Sequence, residues 1–339
     1  DQPPDKHRPH PFRLADEPHA ESARTPRPTR AADYVELGVT TNFTFLHGAS
    51  HPEEMVERAA SLDHAGASIA DVNTLAGVVR AHVAAKKNAI PLAVGSRLRF
   101  QDHDAPDLIV YPTTRPAYSR LCRLLTLGKR RAPKGECSLH LDDLPDHAQG
   151  LVAIALPDDD AFEEPETAQR LEDSLERLRH VFDDDRLSLA AVTRYVQRDA
   201  AHRRALAEAS ARHRIPLVAM NDALYHVPQR RILQDVVTCI RHACSIDEAG
   251  LRLQANAERH LKPADEMARL FRDLPGALRR AADVHARAAA FSMDELKYEY
   301  PVEPCPPGVT PMQRLVERTW AGAHRRYPGA IPAKVRRSL

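Results

Sequence analysis

The sequence predicts an α/β fold, a closed or nearly closed β/α barrel followed by a helical and basic C-terminal extension. Three observations carry this expectation. Short apolar runs alternate with segments of helical apolar periodicity from Tyr34 onward. The connections between them are short, which favours parallel strands joined by right-handed crossovers. After about residue 245 the alternation gives way to helical patterns, and the chain ends in a cation-rich stretch.

Residues 1–33, rich in Pro, His, Arg and Asp, lack the apolar residues that would offset the entropy of ordering, and are expected to be a disordered leader. Tyr34 to Val39 is a strand candidate. Ser50-His51-Pro52-Glu53 then opens a helix, with capping-box spacing and Pro in the first turn. Met55, Val56, Ala59 and Leu62 form the buried stripe of that helix. A strand over Ala67 to Asp71, a helix over Thr74 to Lys87 and a strand over Leu92 to Phe100 complete a β-α-β-α-β series. The same grammar resumes with LVAIAL (151–156), a helix across 166–181, LSLAAV (187–192), a helix over 199–213, PLVAM (216–220) and a helix over 229–241. Repeated units on this scale suit a closed or nearly closed barrel, in which chemistry sits at the strand ends.

These patterns divide the chain into a leader (1–33), a barrel (34–245), a helical segment packed on it (246–299), and a linker opening a further region (300–339). In the helical segment, helices are expected around 264–273 and 275–289; the Pro-rich connector YPVEPCPPGVTP (300–311) follows. From Met312 to Leu339 there are seven Lys or Arg against one Glu, a local basic arm.

Over the whole chain 48 Lys plus Arg nearly cancel 47 Asp plus Glu, so net charge alone selects neither a nucleic-acid binder nor an acidic partner. The five cysteines are scattered without a C-x-x-C pair and read as reduced thiols. Cys239, His242 and Cys244 form a weak metal-like group, but the missing second ligand pair favours a structural reading. No apolar run approaches a membrane span, and no secretory signal is visible, so cytoplasmic residence is the expectation.

Several long strings carry a family resemblance. TTNFTFLHGASHPEEMVERAASLDHAGASIADVNTLAGVVRAHVAAKK, AMNDALYHVPQRRILQDVVTCIRHACSIDEAGLRLQANAERHLKPADEMARLF and FSMDELKYEYP resemble the PHP (polymerase and histidinol phosphatase) region of bacterial C-family DNA polymerases, on the error-prone side of that family. The fold implied is a PHP-type distorted β/α barrel. YPGAIPAKVRRSL resembles the family's entry into its palm domain. The resemblance therefore implies that the Mg²⁺-binding carboxylates of nucleotidyl transfer lie beyond Leu339, along with the fingers and the clamp-binding motif. On that reading the chain itself carries no catalytic residues.

Active PHP domains hold two or three metal ions at the strand ends through His and carboxylate ligands, and the resemblance assigns positions to several of them. The first His pair falls on Gly38 and Thr40, neither of which offers an imidazole. The next Asp-His pair falls on Asp71 and Val72, keeping only the acid. A glutamate position falls on Arg97, a cation where an anion would be wanted. The last Asp-x-His falls on Asp222 and Leu224, and Arg194 and Tyr195 occupy a stretch where a histidine is expected. Two carboxylates without imidazoles make a poor multinuclear site, so Asp71 and Asp222 read as remnants and no metal or other cofactor is expected in this chain. His47 and His51, four residues apart but interrupted by Pro52, add no convincing ligand pair. Strand alternation puts Arg97 on one face with Ala93 and Gly95, from which it is expected to bridge Asp71 and Asp222 in place of the ions.

Two basic segments are candidates for nucleic-acid contact: Lys129, Arg130 and Arg131 in a loop expected over 128–134, and Lys334, Arg336 and Arg337 in the terminal arm. Three functions compete. The first is a catalytically silent PHP module of an error-prone polymerase acting in DNA replication and translesion repair synthesis. Its partners would be the rest of the polymerase, DNA, a sliding clamp and translesion accessory proteins, with no membrane. The second is a metal-dependent phosphoesterase or 3′–5′ proofreading exonuclease. The third is a non-enzymatic DNA-binding or assembly module.

Overall fold

The computed structural model describes residues 34–102, 105–297 and 304–339, in two units that divide between Met293 and Asp294. The leader expected over 1–33 and residues 300–303 of the connector lie outside the described residues.

Six strands form one sheet in sequence order: β1 (Ala67–Val72), β2 (Leu92–Leu98), β3 (Asp107–Pro112), β4 (Leu151–Leu156), β5 (Leu187–Val192) and β6 (Leu217–Met220). The pairs β1/β2, β4/β5 and β5/β6 are parallel, as the crossover pattern predicts. The unanticipated strand is β3, antiparallel to both neighbours. Its sequence, DLIVYP, is a short apolar run ending in Pro; it follows β2 after only eight residues, too few for a crossover helix.

Residues 34–41 are not a ladder strand, contrary to the expectation for Tyr34 to Val39, yet they are extended and buried and close the sheet. The amide of Ala70 donates to the carbonyl of Val39 (2.8 Å) on the β1 side, and that of Thr40 donates to Ala223 (3.0 Å) just after β6. Between these anchors the carboxylate of Glu36 accepts from the backbone amides of Gly38 (2.8 Å) and Asn221 (2.7 Å). Side-chain bonds replace the regular ladder, which is why the segment escapes strand geometry while closing a distorted barrel.

The helices cover the outside. Helices α1 (Pro52–Ser61) and α2 (Val78–Asn88) bury Met55, Val56, Ala59 and Ala81 against Ala67 and Ile69 of β1. The capping box of α1 sits one residue later than expected: the amide of His51 donates to Glu54 (2.8 Å). Helices α3 (Arg115–Arg131), α4 (Pro165–Val181) and α5 (Asp199–His213) pack Leu121, Leu124, Leu171, Leu175 and Leu206 on Leu98, Leu108, Val110 and Leu189. The sequence assigns no element to α3, and its end corrects a second expectation. Lys129, Arg130 and Arg131 form its last turn rather than a loop, where cations favour the helix terminus.

The opposite face of the sheet lines the barrel interior with Ala70, Ala93, Ile109, Tyr111, Ile154, Val218 and Met220. After α6 (Arg231–Arg241) and a single turn, α7 (Ile246–Ala249), come α8 (Ala264–Leu270) and α9 (Pro275–Ala288). Met267, Phe271, Leu278, Ala281 and Val284 from these helices join the interior cluster. Helix α9 packs against β2, β4 and β6, so residues 264–288 belong to the barrel core.

The second unit holds α10 (Pro311–Arg326) and α11 (Ala333–Ser338). Thr310 and Gln313 close a capping box at the start of α10, the Gln313 amide donating to the Thr310 hydroxyl (3.3 Å) and the Thr310 amide to the Gln313 side chain (2.9 Å). Lys334, Arg336 and Arg337 all lie exposed on α11.

Candidate functional site

Three parallel strands turn sharply where they end, and the residues that make the turns have left-handed backbone: Asn73 (φ 51°) after β1, Tyr195 (φ 56°) after β5 and Asp222 (φ 52°) after β6. This conformation is uncommon outside glycine and best tolerated by Asn and Asp. It brings the strand-end side chains around one mouth.

Asp222 is buried there, 1% exposed, and three guanidiniums bind it. Arg97 donates to Oδ1. Arg259 donates to Oδ2, and also gives its Nε–H to the Asp222 carbonyl (2.9 Å). Arg194 donates to Oδ2 at 3.1 Å while its Nε–H reaches Asp159 (2.9 Å). Burial alone would raise the carboxyl's pKa. Arg259, Arg97 and Arg194 outweigh it and hold the group far below the usual carboxylate range. The crowding has a counterpart: burial and the neighbouring cations bring Arg259 down to about 10, against the opposing pull of Asp222, leaving it protonated at neutral pH.

Asp71, equally buried, pairs with no cation among the described residues. Its Oδ1 accepts from the Thr41 amide and the Thr44 hydroxyl, and its Oδ2 from the Thr41 hydroxyl, all at 2.8 Å. Burial raises its pKa, opposed but not overcome by these bonds. The expected bridge is therefore half right. Arg97 lies on the interior face beside Ala93 and pairs with Asp222, but it makes no bond with Asp71; its other carboxylate contact is Asp107 at 3.9 Å.

The other strand-end positions are filled by packing. A Cβ added at Gly38 would lie 2.6 Å from the Met220 methyl, the flexible end of that side chain, and 3.0 Å from the Asp222 Cα, so a side chain there would have to shift Met220 and crowd the turn after β6. Thr40 is buried with its hydroxyl unpaired. The amide of Val72 donates to the Thr44 hydroxyl (2.9 Å), and Leu224 packs with Ala49 and Tyr225. His47 and His51 turn to different partners: the Nδ1 of His47 meets Arg241 (2.8 Å), and that of His51 meets the Asn42 amide group (2.9 Å). Among the described residues, no three His, Cys, Asp or Glu side chains converge as metal ligands would. Of the basic candidates, Arg131 pairs with Asp143 (2.7 Å), while Lys129 and Arg130 are exposed on the last turn of α3.

Sequence reasoning missed three contributors. Glu36 is a lone acid in the apolar run YVELGV, which is itself a signal of a buried acceptor. Arg259 and Arg241 follow β6 by tens of residues in polar surroundings, and nothing local marks them as part of the mouth.

Residues 36–192 match the family model of the PHP domain. The chain is 46% identical over 305 residues to an error-prone DNA polymerase of Caulobacter vibrioides, covering 89% of this chain and 27% of that protein. It is 48% identical over 310 residues to an error-prone DNA polymerase of Brucella abortus (89% and 28%), and 42% identical over 309 residues to error-prone DNA polymerase 1 of Agrobacterium fabrum (91% and 27%). Among solved structures, an amidohydrolase from Chromobacterium violaceum matches 56% of this chain and 87% of its own, with a TM-score of 0.40 at 15% identity. The chain thus spans little more than a quarter of the curated relatives it matches: its residues 36–192 match the PHP domain, and about nine-tenths of its length is similar to error-prone DNA polymerases.

Proposed function

We propose that this chain is the PHP module of an error-prone DNA-directed DNA polymerase, and that its strand-end mouth is a structural clamp in which arginines replace metal ions. The observation that carries this reading is Asp222, which has both oxygens engaged by guanidiniums. The residues present do not fit a divalent metal. One acid is neutralised by three cations, the other has its oxygens satisfied by hydroxyl and amide donors, and neither Gly38 nor Thr40 offers an imidazole. A cation entering the mouth would have to displace Arg97, Arg194 and Arg259 and then sit beside their charge.

In this reading the module holds its shape so that the rest of a polymerase can be built on it, and Mg²⁺-dependent nucleotide addition belongs to that rest. DNA, a sliding clamp and translesion accessory proteins would meet the whole polymerase in the cytoplasm, during replication and repair of damaged DNA. The competing phosphoesterase or exonuclease reading needs a metal-bound hydroxide, which this donor set does not support.

The test is titration of the purified, metal-stripped 339-residue chain with Mn²⁺ and Zn²⁺, alongside a 3′-labelled primer-trimming assay. We expect no stoichiometric binding and no trimming above the metal-free control. Stoichiometric binding abolished by Asp71→Asn or Asp222→Asn, with trimming lost in parallel, would overturn the proposal.

A further inference from the structure

The C-terminal end of α6 closes on two cysteines. The Ala243 amide donates to the Ile240 carbonyl (3.2 Å) and the Cys244 amide to the Cys239 carbonyl (3.1 Å), while Ala243 has left-handed backbone (φ 49°). These are the paired bonds of a Schellman motif, and Cys239 and Cys244 hold the two positions whose side chains commonly touch across it. The 3.1 Å backbone bond between the two residues also keeps their Cα atoms within about 7 Å of each other, the outer limit for a disulfide. Both thiols are free, Cys239 buried and Cys244 half-buried. Alanine rather than glycine holds the left-handed position, so the turn depends on its flanks for closure.

The same two cysteines line one cavity with Ile232, Val236, Ile240 and Ile246, all exposed at its rim, so small molecules reach the pair. Asp235 and Glu248 line it too, and their negative charge disfavours an anionic oxidant such as glutathione disulfide. An uncharged peroxide is the class of oxidant that fits. The two thiols also differ. Burial, and then Cys244 beside it, raise the pKa of Cys239, which makes the half-buried Cys244 the one to react first. The cysteines of the α3 region are placed differently: Cys122 neighbours Tyr118, and Cys137 lies against Gly128 near the end of that helix.

We propose that Cys239 and Cys244 form a reversible redox site, oxidised by hydrogen peroxide to a disulfide that clips the end of α6. The Cys244 thiolate attacks one peroxide oxygen and the O–O bond breaks; the hydroxide that leaves takes up the proton Cys244 had released, giving water and a sulfenic acid on Cys244. The Cys239 sulfur then attacks the Cys244 sulfur. The S–S bond forms, the S–O bond breaks, and the departing hydroxide takes the Cys239 proton as a second water. The two sulfurs give up two electrons and the peroxide accepts them. The second step is intramolecular between neighbours, so it outruns further oxidation of the sulfenic acid. A dithiol reductant returns both thiols by exchange.

The proposal goes beyond the clamp reading and does not rest on it. The reduced 339-residue chain in EDTA is titrated with hydrogen peroxide, blocked with iodoacetamide and cleaved with trypsin, which cuts after Arg241 and puts the two cysteines on peptides 232–241 and 242–252. We expect these peptides to appear linked, on chains that run as monomers without reductant, and to part with dithiothreitol. Two of the five thiols should be lost together while Cys122, Cys137 and Cys305 remain alkylated. In Cys239→Ser the oxidation should stop at the sulfenic acid, trapped on Cys244 by dimedone. In Cys244→Ser, Cys239 should stay alkylated at the same peroxide dose. The parent chain carries the main readout, so the result stands even where a variant folds poorly; thermal melting checks the variants. No linked peptide at any peroxide dose, a link formed only between two chains, equal yields of links to the other cysteines, or loss of all five thiols at one rate would overturn the proposal.

Discussion

Asp71 and Asp222 sit at the ends of parallel strands of one barrel, are equally buried, and are stabilised in opposite ways. Asp222 is surrounded by charge: Arg97, Arg194 and Arg259 hold it ionised and far below the usual carboxylate range. Asp71 is surrounded by dipoles: two threonine hydroxyls and one amide satisfy its oxygens, and burial still raises its pKa. The difference teaches that a buried carboxylate can lose an external cation by two routes. One imports side-chain cations and couples distant segments of the chain, here β2, the turn after β5 and the 259 region. The other needs only a local turn, the Thr41–Thr44 loop.

The largest effect is therefore expected at Asp222. Asp222→Asn keeps the shape and tolerates the left-handed backbone, but leaves three buried guanidiniums without their counter-charge. We expect a loss of about 3–5 kcal/mol by urea denaturation, the scale for breaking a buried pair by removing one partner. A loss below about 1 kcal/mol would show that the clamp is solvated and the contrast with Asp71 is false.

The pH dependence sharpens the same contrast. Asp222 has a depressed pKa in the folded state, so its contribution is fully present above the ordinary carboxylate value of about 3.9 and is lost as pH falls below it. Between about pH 5 and pH 2.5 the parent should lose stability more steeply than Asp222→Asn, and the two curves should converge. Parallel curves through this window would contradict the assignment of charge to Asp222.

Arg97→Gln comes next. Arg194 and Arg259 remain on the carboxylate, and Gln can still donate one hydrogen bond, so the expected loss is about 2 kcal/mol. A double-mutant cycle with Asp222→Asn should return a coupling of at least about 1 kcal/mol. Additive losses would mean that Arg97 acts through packing alone.

Much of this arrangement was legible in the sequence. The parallel pairs, α4 and α5 follow from apolar periodicity, and the alternation along β2 placed Arg97 on the interior face with Ala93. What was not legible is the partner choice. Whether Arg97 reaches Asp71, Asp222 or both depends on where β6 ends relative to β2, a relation fixed by tertiary closure through Glu36 and the extended segment 34–41. Arg259 is invisible for the same reason: 37 residues separate it from Asp222, and no local pattern links them. The stretch around β3 failed differently. Its antiparallel pairing breaks the strand-helix grammar that made the other strands readable.

The smallest effect is expected at Asp71, and its direction with pH is the finer test. Asn in place of Asp71 keeps one carbonyl acceptor for the Thr41 amide and the Thr44 hydroxyl on Oδ1, and the Thr41 hydroxyl can rotate to accept from the new amide. The substitution also removes the cost of burying a negative charge without a cation, so the net loss at pH 7 should stay within about 1 kcal/mol. Asp71 has a raised pKa in the folded state; its favourable contribution is greatest below the ordinary carboxylate value and is lost as pH rises through its folded value. The penalty for Asp71→Asn should accordingly be larger near pH 3.5 than at pH 7, the reverse of the trend for Asp222→Asn. Urea titrations of both variants at those two pH values decide it. If the Asp71 penalty instead grew with pH, the hydroxyl cage would be stabilising the anion more than burial destabilises it, and the two acids would differ in degree rather than in kind.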